Sequence, residues 1–503
     1  MLRQAYIGII SVKMYRRPSK KKQLAKRIAI YAVMVVSVLI GVAGLIFLIL
    51  GYRFDADNGR IEQGSLLQFA TIPSGATIQI DGKTINARTP TKSTVLAGTH
   101  TFMMQKNGYE TWQKTLDVKA GTLTWLTYAR LVPVNRPVES VSNYERLAAS
   151  LAAPGGDYII AQQDAATATF QLIDLRSDTV QTNTLTIPAA VISQSTTPGV
   201  AHSYVVDSWD SGGRYVIIRH AYGDKKEWIV LDTRDASASK NITTLLDLDL
   251  TSLVFSGTSG SILYALSGSD IRKLDVSAGT ISRSLVSGVT SFSLFETNVI
   301  TYVGTDKDNP TGRVAGLYRE GDSASHILKS ISNDPTKPLH IATGRYFNQD
   351  FVAISVGSNV EIMSGSYPSS GSADSSSLAP YDTFEFVTNV DQLGFSPAGD
   401  YLLVQSGSRF AGFDIEHHTL ANSTIANDAS DAVAPLRWLD DNYVWSDFGG
   451  NLTMREFDGA NVHVINTSLT GQAAALTKND KYIYSFGKTA TGYQLQRVRM
   501  VLP

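Results

Sequence analysis

Three hydrophobic patterns succeed one another along this chain of 503 residues. The first is unbroken: from Ile28 to Leu50 the sequence runs IAIYAVMVVSVLIGVAGLIFLIL with no charged residue. At about 1.5 Å rise per residue such a helix is about 34 Å long, enough to cross a hydrocarbon core of about 30 Å with modest tilt. A buried core helix is the competing reading, and core helices are seldom apolar on every face over this length. The second pattern, over 66–131, consists of short alternating runs, LLQFAT, ATIQID, THTFMMQKN, TWQKTLDV and TLTWLTYARL. The turns Pro73-Ser74-Gly75, Asp81-Gly82, Ala97-Gly98 and Asn107-Gly108 separate them, which predicts a small antiparallel β-sandwich.

The third pattern recurs. A Gly or Asp turn leads into an aromatic and β-branched strand, then a second turn, then a strand that often ends in Asp. Units begin at Gly155-Gly156-Asp157-Tyr158, Gly212-Gly213-Arg214-Tyr215, Ser261-Ile262-Leu263-Tyr264 and Val299-Ile300-Thr301-Tyr302. Four more begin at Phe351-Val352-Ala353, Gly399-Asp400-Tyr401, Tyr443-Val444-Trp445 and Lys481-Tyr482-Ile483-Tyr484. Partner strands include Leu172-Ile173-Asp174, Trp228 to Asp232, Ile271 to Asp275, Phe413-Asp414 and Phe457-Asp458. A period of roughly 40 to 57 residues suits four-stranded propeller blades. Phe395-Ser396-Pro397-Ala398-Gly399-Asp400-Tyr401 resembles the Ser-Pro-Asp-Gly-Lys-Tyr turn of Tol-type and tryptophan-aspartate repeat propellers. A pair of stacked sandwiches is the alternative source of many short strands.

The middle pattern carries a resemblance of its own. Pro73-Ser74-Gly75-Ala76 stands where the PEGA domain has its Pro-Glu-Gly-Ala signature. It is followed in order by Ile78-Gln79-Ile80-Asp81-Gly82, Thr89-Pro90, Leu96-Ala97-Gly98-Thr99-His100 and Gly108-Tyr109-Glu110-Thr111-Trp112. Two departures, Ser74 for Glu and Asn86-Ala87-Arg88 where a Gly often precedes Thr-Pro, leave the fold assignment intact. The resemblance implies an extracytoplasmic β-domain found near membrane anchors and in surface-layer-like proteins, a spacer or binding module without catalysis. Some signalling members carry an intracellular kinase, and the expected 27 cytoplasmic residues here leave no room for one. Pro73, Gly75, Gly82, Gly98 and Gly108 read as turn residues, with Ser74, Ala76, Asp81 and Tyr109 completing the motif.

The expected architecture is therefore mainly β. It comprises a basic cytoplasmic leader (1–27), a transmembrane helix (28–50), a juxtamembrane connector (51–65), a PEGA-like β-sandwich (66–132), a linker (133–146) and a seven- or eight-bladed β-propeller (147–503). The linker Val132-Pro133-Val134-Asn135-Arg136-Pro137-Val138 reads as extended because its prolines exclude helix. The serine-rich stretch SGSYPSSGSADSSSLA from Ser364 to Ala379 reads as a loop between blades.

Charge sets the orientation. Arg3, Lys13, Arg16, Arg17, Lys20, Lys21, Lys22, Lys26 and Arg27 precede the apolar run, with no Asp or Glu among them. This keeps the N-terminus cytoplasmic and the bulk of the chain outside, so the lipid bilayer is the first partner, through Ile28 to Leu50. A cleavable signal peptide would have a shorter apolar region and a small-x-small site, and GYRFDADNG follows instead. Met14 is an alternative start. Ser37, Gly41 and Gly44 share one helix face, a small-xxx-small arrangement that suits weak homodimerisation. Setting the nine leader cations aside leaves 35 Lys and Arg against 45 Asp and Glu, an acidic exterior that disfavours nucleic acid. The chain has no cysteine, which excludes disulfides, thiolate metal sites and thiol catalysis.

Candidate chemistry is sparse. No Gly-x-Ser-x-Gly elbow occurs, and the eight histidines show neither His-x-His nor His-Glu-x-x-His spacing. The pair His417-His418 is expected on a strand, pointing to opposite faces. Asp306-Lys307-Asp308-Asn309 opens like a calcium loop, but Pro310 takes the fifth position and Leu317 the twelfth, so it reads as a solvated turn. Ser208-Trp209-Asp210-Ser211-Gly212 resembles the Asp-box turn of sialidase propellers, itself structural. No cofactor is implied. The remaining candidates for ligand binding are Trp209, Trp228, Trp438 and Trp445, with Tyr222 and Tyr443, which could stack on sugar rings or dock a protein loop. The expected function is noncatalytic recognition or scaffolding in a bacterial envelope, for a carbohydrate or a protein. A surface glycosidase or lyase and an envelope assembly factor are the alternatives.

Overall fold

The computed structural model describes residues 19–49, 52–55, 60–195, 197–306, 309–367, 377–426 and 433–503. Met14, Leu50 and the centre of the serine-rich stretch (368–376) lie outside them. The N-terminal helix spans Lys20–Ile49, 30 residues, so Lys20, Lys21, Lys22, Lys26 and Arg27 belong to it; Lys and Arg are good helix formers. It is long and apolar enough to cross a membrane, and its apolar side chains from Ile28 to Phe47 are exposed. Ser37 hydrogen-bonds back to the Val33 carbonyl at 2.8 Å, and a Cβ at Gly41 or Gly44 would meet nothing within 4 Å.

The chain divides into two compact units, Met1–Met104 with Lys114–Ala129, and Gln105–Gln113 with Arg130–Pro503. The β-strands of the first lie in two four-stranded sheets. In one, the 13-residue strand Arg60–Ile72 pairs with Tyr52–Asp55, Thr91–Leu96 and Leu123–Arg130. The other orders Lys83–Arg88, Thr77–Ile80, Gly98–Gln105 and Trp112–Val118. Alternation places Leu67, Phe69, Ile78, Phe102 and Leu126 in the core at no more than 1% exposure, with the Phe69 and Phe102 rings 5.8 Å apart. Within the expected connector 51–65, Tyr52–Asp55 pairs with the start of strand Arg60–Ile72 in register Tyr52 to Gln63, because sheet pairing satisfies backbone groups that an irregular connector would leave to water.

The second unit holds eight four-stranded antiparallel sheets among the described residues. Each of the eight sequence repeats supplies the second strand of one sheet, for example Tyr158–Gln162, Tyr215–Tyr222, Tyr401–Ser406 and Tyr482–Lys488. These strands read as apolar runs because both their faces are covered: Val216, Ile217 and Ile218 are consecutive and all fully buried. The preceding turn is closed the same way in sheet after sheet. The N–H groups of Ala153, Asp210, Ser396 and Thr477 donate to the carbonyls of Tyr158, Tyr215, Tyr401 and Tyr482.

Apolar clusters fill the spaces between successive sheets. Ile160, Phe170, Val216 and Ile229 join the first to the second, and Tyr264, Ile271, Ile300 and Val314 join the third to the fourth. The last cluster joins the two ends, since Ile159, Ala161 and Ile173 of the first sheet pack with Tyr484, Phe486 and Leu495 of the eighth. The sheets therefore form a closed ring. Two glycines show the same geometry at a regular junction and at the closing one. A Cβ on Gly399 (φ +80°) would lie 2.3 Å from the Arg345 carbonyl of the neighbouring sheet, and a Cβ on Gly156 (φ +72°) would lie 2.0 Å from the Leu476 carbonyl.

Closure depends on a strand the sequence hides. The eighth sheet runs Ala474–Leu476, Tyr482–Lys488, Tyr493–Arg499 and then Val138–Tyr144. The second half of the expected linker is thus the outer strand of the last sheet, in register Tyr144 to Tyr493 and Val138 to Val498. Its sequence VESVSNY is mostly polar because an outer strand has much of its surface in water. Tyr144 anchors it, 5% exposed and edge-on to Phe486 at 5.8 Å between centroids.

Two expectations follow for stability. Tyr144→Ala should lower unfolding free energy by about 3 to 4 kcal/mol, the usual loss for a buried aromatic, seen as a shifted midpoint in chemical denaturation. Asp400 is the second case: burial pushes its carboxyl up to about 6, against the hydrogen bond from the Ser396 hydroxyl (2.5 Å) that lowers it. The folded chain then holds more protons than the unfolded one between about pH 4 and 6, so this group makes stability fall as pH rises through that window. Asp400→Asn should raise stability at pH 7.5 by about 1 to 2 kcal/mol and leave it unchanged at pH 4. Thermal melts at the two pH values check this.

Candidate functional site

Three of the four candidate tryptophans, Trp209, Trp228 and Trp445, are buried between sheets. Trp209 lies in the cluster between the first and second sheets, 9% exposed, and its indole N–H donates to the Leu151 carbonyl at 3.2 Å. Trp228 is 3% exposed between the second and third sheets, and its N–H donates to the Leu250 carbonyl at 3.0 Å. Trp445 is 4% exposed between the seventh and eighth sheets, with the Arg437 guanidinium 4.9 Å above its ring. Trp438 is half-buried beside the cluster between the sixth and seventh. The apolar area of Trp209, Trp228 and Trp445 serves inter-sheet packing, and that of Trp438 does so in part. Tyr443 is likewise core, 1% exposed, its hydroxyl accepting the Arg130 backbone N–H at 2.9 Å. Trp125 is more exposed, at 44%.

The other motif residues are structural. The Asp210 carboxylate accepts the backbone N–H groups of Gly212, Arg214 and Tyr215 at 3.0, 2.7 and 2.6 Å, which locks the turn. His417 and His418 lie in a hairpin turn rather than on a strand, each beside its own carboxylate, Asp414 at 3.0 Å and Asp382 at 2.7 Å. Asp306 accepts the Ser330 hydroxyl at 2.8 Å, while Lys307 and Asp308 lie outside the described residues. Among the described residues no group of three His, Asp or Glu is placed to hold a metal ion.

In the small sheet pair, Pro73, Ser74, Gly75 and Ala76 form the turn after strand Arg60–Ile72. Thr89 fastens it: its hydroxyl lies 2.6 Å from that of Thr71 and accepts the Ala76 N–H at 2.9 Å. Ser74 is exposed. Asp81 and Gly82, with φ of +50° and +76°, form a tight turn, and the Asp81 carboxylate receives His100 at 2.6 Å and the Thr101 N–H at 2.9 Å. The His100 bond holds the Asp81 carboxyl below its usual range. Gly98 (φ +140°) and Gly108 (φ +83°) also turn the chain. The Tyr109 hydroxyl accepts the Leu502 N–H at 2.6 Å.

A cavity is present where the third sheet is cut short. Its outer strand, Thr280–Ile281, has two residues, against six in the equivalent strand Gln181–Thr186 of the first sheet and seven in His326–Ser332 of the fourth. After Ile281 the chain folds back instead, with Leu285 and Ile271 donating to the carbonyls of Ile271 and Val286, both at 2.8 Å. The missing strand uncovers the flank of the fourth sheet, leaving a cavity of about 510 Å³. Tyr302, Val314 and Tyr318 form its wall, and Ser284, Ser287, Ser323 and Ser325 bring hydroxyls to it. Ser325 accepts the Tyr302 hydroxyl at 2.9 Å, and Ser284 and Ser287 share a bond of 2.9 Å. Burial pushes both phenols up, and for Tyr318 the negative charges of Asp322 and Glu320 add to it. Both stay protonated donors at neutral pH.

One carboxylate lines this space. Asp322 accepts the Arg319 N–H through Oδ2 at 3.2 Å, and His326 Nε2 stands 3.4 Å from the same oxygen. Its side chain is 0% exposed, and Oδ1 has no hydrogen-bond partner. Leaving a buried acceptor unmet costs about 1 to 3 kcal/mol, so such an atom marks a place where a donor is absent. The Arg283 side chain is exposed at the same cavity. These residues carry no motif; the short serine-rich turns Ser282-Arg283-Ser284 and Asp322-Ser323-Ala324-Ser325 were the available signal.

Residues 65–134 match the PEGA domain. No match to a curated protein was found. Solved structures similar to the chain include the β-propeller domain of Myceliophteria thermophila Cps50 (Swd1), at 11% identity and TM-score 0.39, over 64% of this chain and 97% of that one. Kluyveromyces lactis Hsv2 is similar at 12% and 0.36, over 71% and 98%. An oligogalacturonate lyase in complex with manganese is similar at 10% and 0.37, over 72% and 99%.

The reassigned tryptophans give a direct expectation. Trp228→Ala and Trp445→Ala should each cost about 3 to 5 kcal/mol of stability, and the native protein's residual acrylamide-quenchable fluorescence should vanish largely with Trp125→Phe. Denaturation curves and quenching titrations read the two effects.

Proposed function

We propose that this chain is a single-pass membrane protein, N-terminus cytoplasmic, whose exported part is a noncatalytic recognition or scaffold module for an envelope carbohydrate or protein. The observation that carries the reading is the coupling of a lipid-suited helix, basic on its N-terminal side, to a closed ring of sheets with a hydroxyl-lined cavity on its flank. The PEGA match supports an extracytoplasmic setting. An enzyme of glycosidase type needs two carboxylates facing one space, and Asp322 is the one carboxylate among the described residues lining this cavity.

Because the chain has no cysteine, single introduced thiols report topology cleanly. A Ser177→Cys protein should react with a membrane-impermeant maleimide in intact cells, and a Lys21→Cys protein only after lysis. The detergent-solubilised full chain should retain wall polysaccharide or an envelope protein. Reversed labelling, or retention of neither material, would sink the proposal.

A further inference from the structure

We propose that the cavity between the third and fourth sheets binds a saccharide unit bearing an anionic substituent, with Asp322 accepting a ring hydroxyl and Arg283 meeting the anion at the mouth. The inference rests on the surface-recognition reading above and names the ligand class for this site. Size comes first: about 510 Å³ lies within the range of small-molecule pockets and suits one or two sugar rings. Lining comes second. Serine hydroxyls both donate and accept, as a polyol's hydroxyls do, so the four serines of the lining match a ligand that alternates the two roles. Tyr302 and Tyr318 border the cavity from the apolar cluster behind it, 3% and 4% exposed, and the Tyr302 hydroxyl orients Ser325.

The third observation is the unmet oxygen. Asp322 Oδ1 is buried at the cavity without a donor, while Oδ2 is occupied by the Arg319 N–H. A carboxylate that needs one more donor selects a hydroxyl over an ether or a hydrocarbon, which favours a sugar over an apolar ligand. Arg283 is exposed and has no carboxylate partner among the described residues. A guanidinium there attracts a carboxylate or phosphate on the sugar, the two sources of the same anionic chemistry.

The test titrates the full chain in lipid nanodiscs with three probes: a glucuronate-containing tetrasaccharide, glucose 6-phosphate and neutral cellotetraose. Calorimetry should show binding of at least one charged probe, at least tenfold tighter than cellotetraose, and which charged probe binds separates uronic acid from sugar phosphate. Asp322→Asn should weaken that binding tenfold or more. Ser323→Trp, an exposed position that fills the cavity without touching the core, should abolish it with an unchanged melting temperature. Arg283→Ala should bring the charged probe's affinity down to that of cellotetraose. No binding of either charged probe at 10 mM, or full affinity in Ser323→Trp, would overturn the proposal. If thiol labelling and envelope retention hold but Ser323→Trp retains the envelope ligand as well as the parent chain, the cavity assignment fails alone and the recognition reading stands.

Discussion

The pairing of Val138–Tyr144 with Tyr493–Arg499 is the constraint on which the large unit depends. Each sheet there is apolar on both faces, so no sheet can be terminal without exposing a face to water. A linear stack would leave the first sheet's Ile159 and Ile173 and the eighth sheet's Tyr484 and Phe486 uncovered, and all four are fully buried against one another. At about 1.5 to 3 kcal/mol for each large buried side chain, that junction outweighs any single hydrogen bond in the ring. Supplying the last strand from the start of the unit makes closure covalent as well as hydrophobic, because the chain's two ends enter one sheet.

Closure is reinforced by polar contacts that only ring geometry allows. Ser150 of the first sheet donates to the Gln472 side chain and accepts the Ala473 N–H, each at 2.8 Å, just before the eighth sheet begins. Within the same unit the segment Gln105–Gln113 is held by Trp112, whose indole donates to the fully buried Glu456, and by Glu110, which meets Arg136 and His463 at 2.6 Å each. The buried Arg130 reaches Asp440 at 2.7 Å and Asp480 at 2.9 Å. Desolvating such charges is costly unless each finds a partner, and here two carboxylates converge on one guanidinium. These contacts fix which strands neighbour which, a matter that hydrophobic burial alone leaves degenerate.

How much of this was legible follows from burial. Second and third strands, such as YIIAQ and KKEWIVLD, lie inside the sheet stack and read as apolar runs, so all eight repeats were visible. Outer strands, such as QTNTLT and TLANST, keep much of their surface in water and look like loop. The closing strand VESVSNY is one of these, and its neighbouring prolines disguised it further as a linker. The tryptophans misled for a related reason: residue type predicts a large apolar area but not which surface covers it. Trp209 and Trp228 sit in strands whose neighbours across the gap are Leu and Ile, and that arrangement is set by sheet order, which no local pattern records.

The cavity was illegible for a deeper reason, since it is made by something missing. Six of the eight sheets end in an outer strand of five to seven residues, whereas the second and third end in two, Lys240–Asn241 and Thr280–Ile281. The chain compensates in part by returning as Ser284 to Val286 along Ile271, which preserves the backbone hydrogen bonds but not the width of the sheet. What remains is a gap bordered by Tyr302, Val314 and Tyr318, which also belong to the apolar cluster between the third and fourth sheets. A truncation exposing only aliphatic side chains would be an aggregation liability; here Tyr302, Tyr318 and Asp322 stay buried, and Arg283 and Ser323 are exposed at the gap beside Ile327. Packing loss at one sheet and chemical provision at the next are thus the same structural event, and it leaves the ring's other interfaces intact.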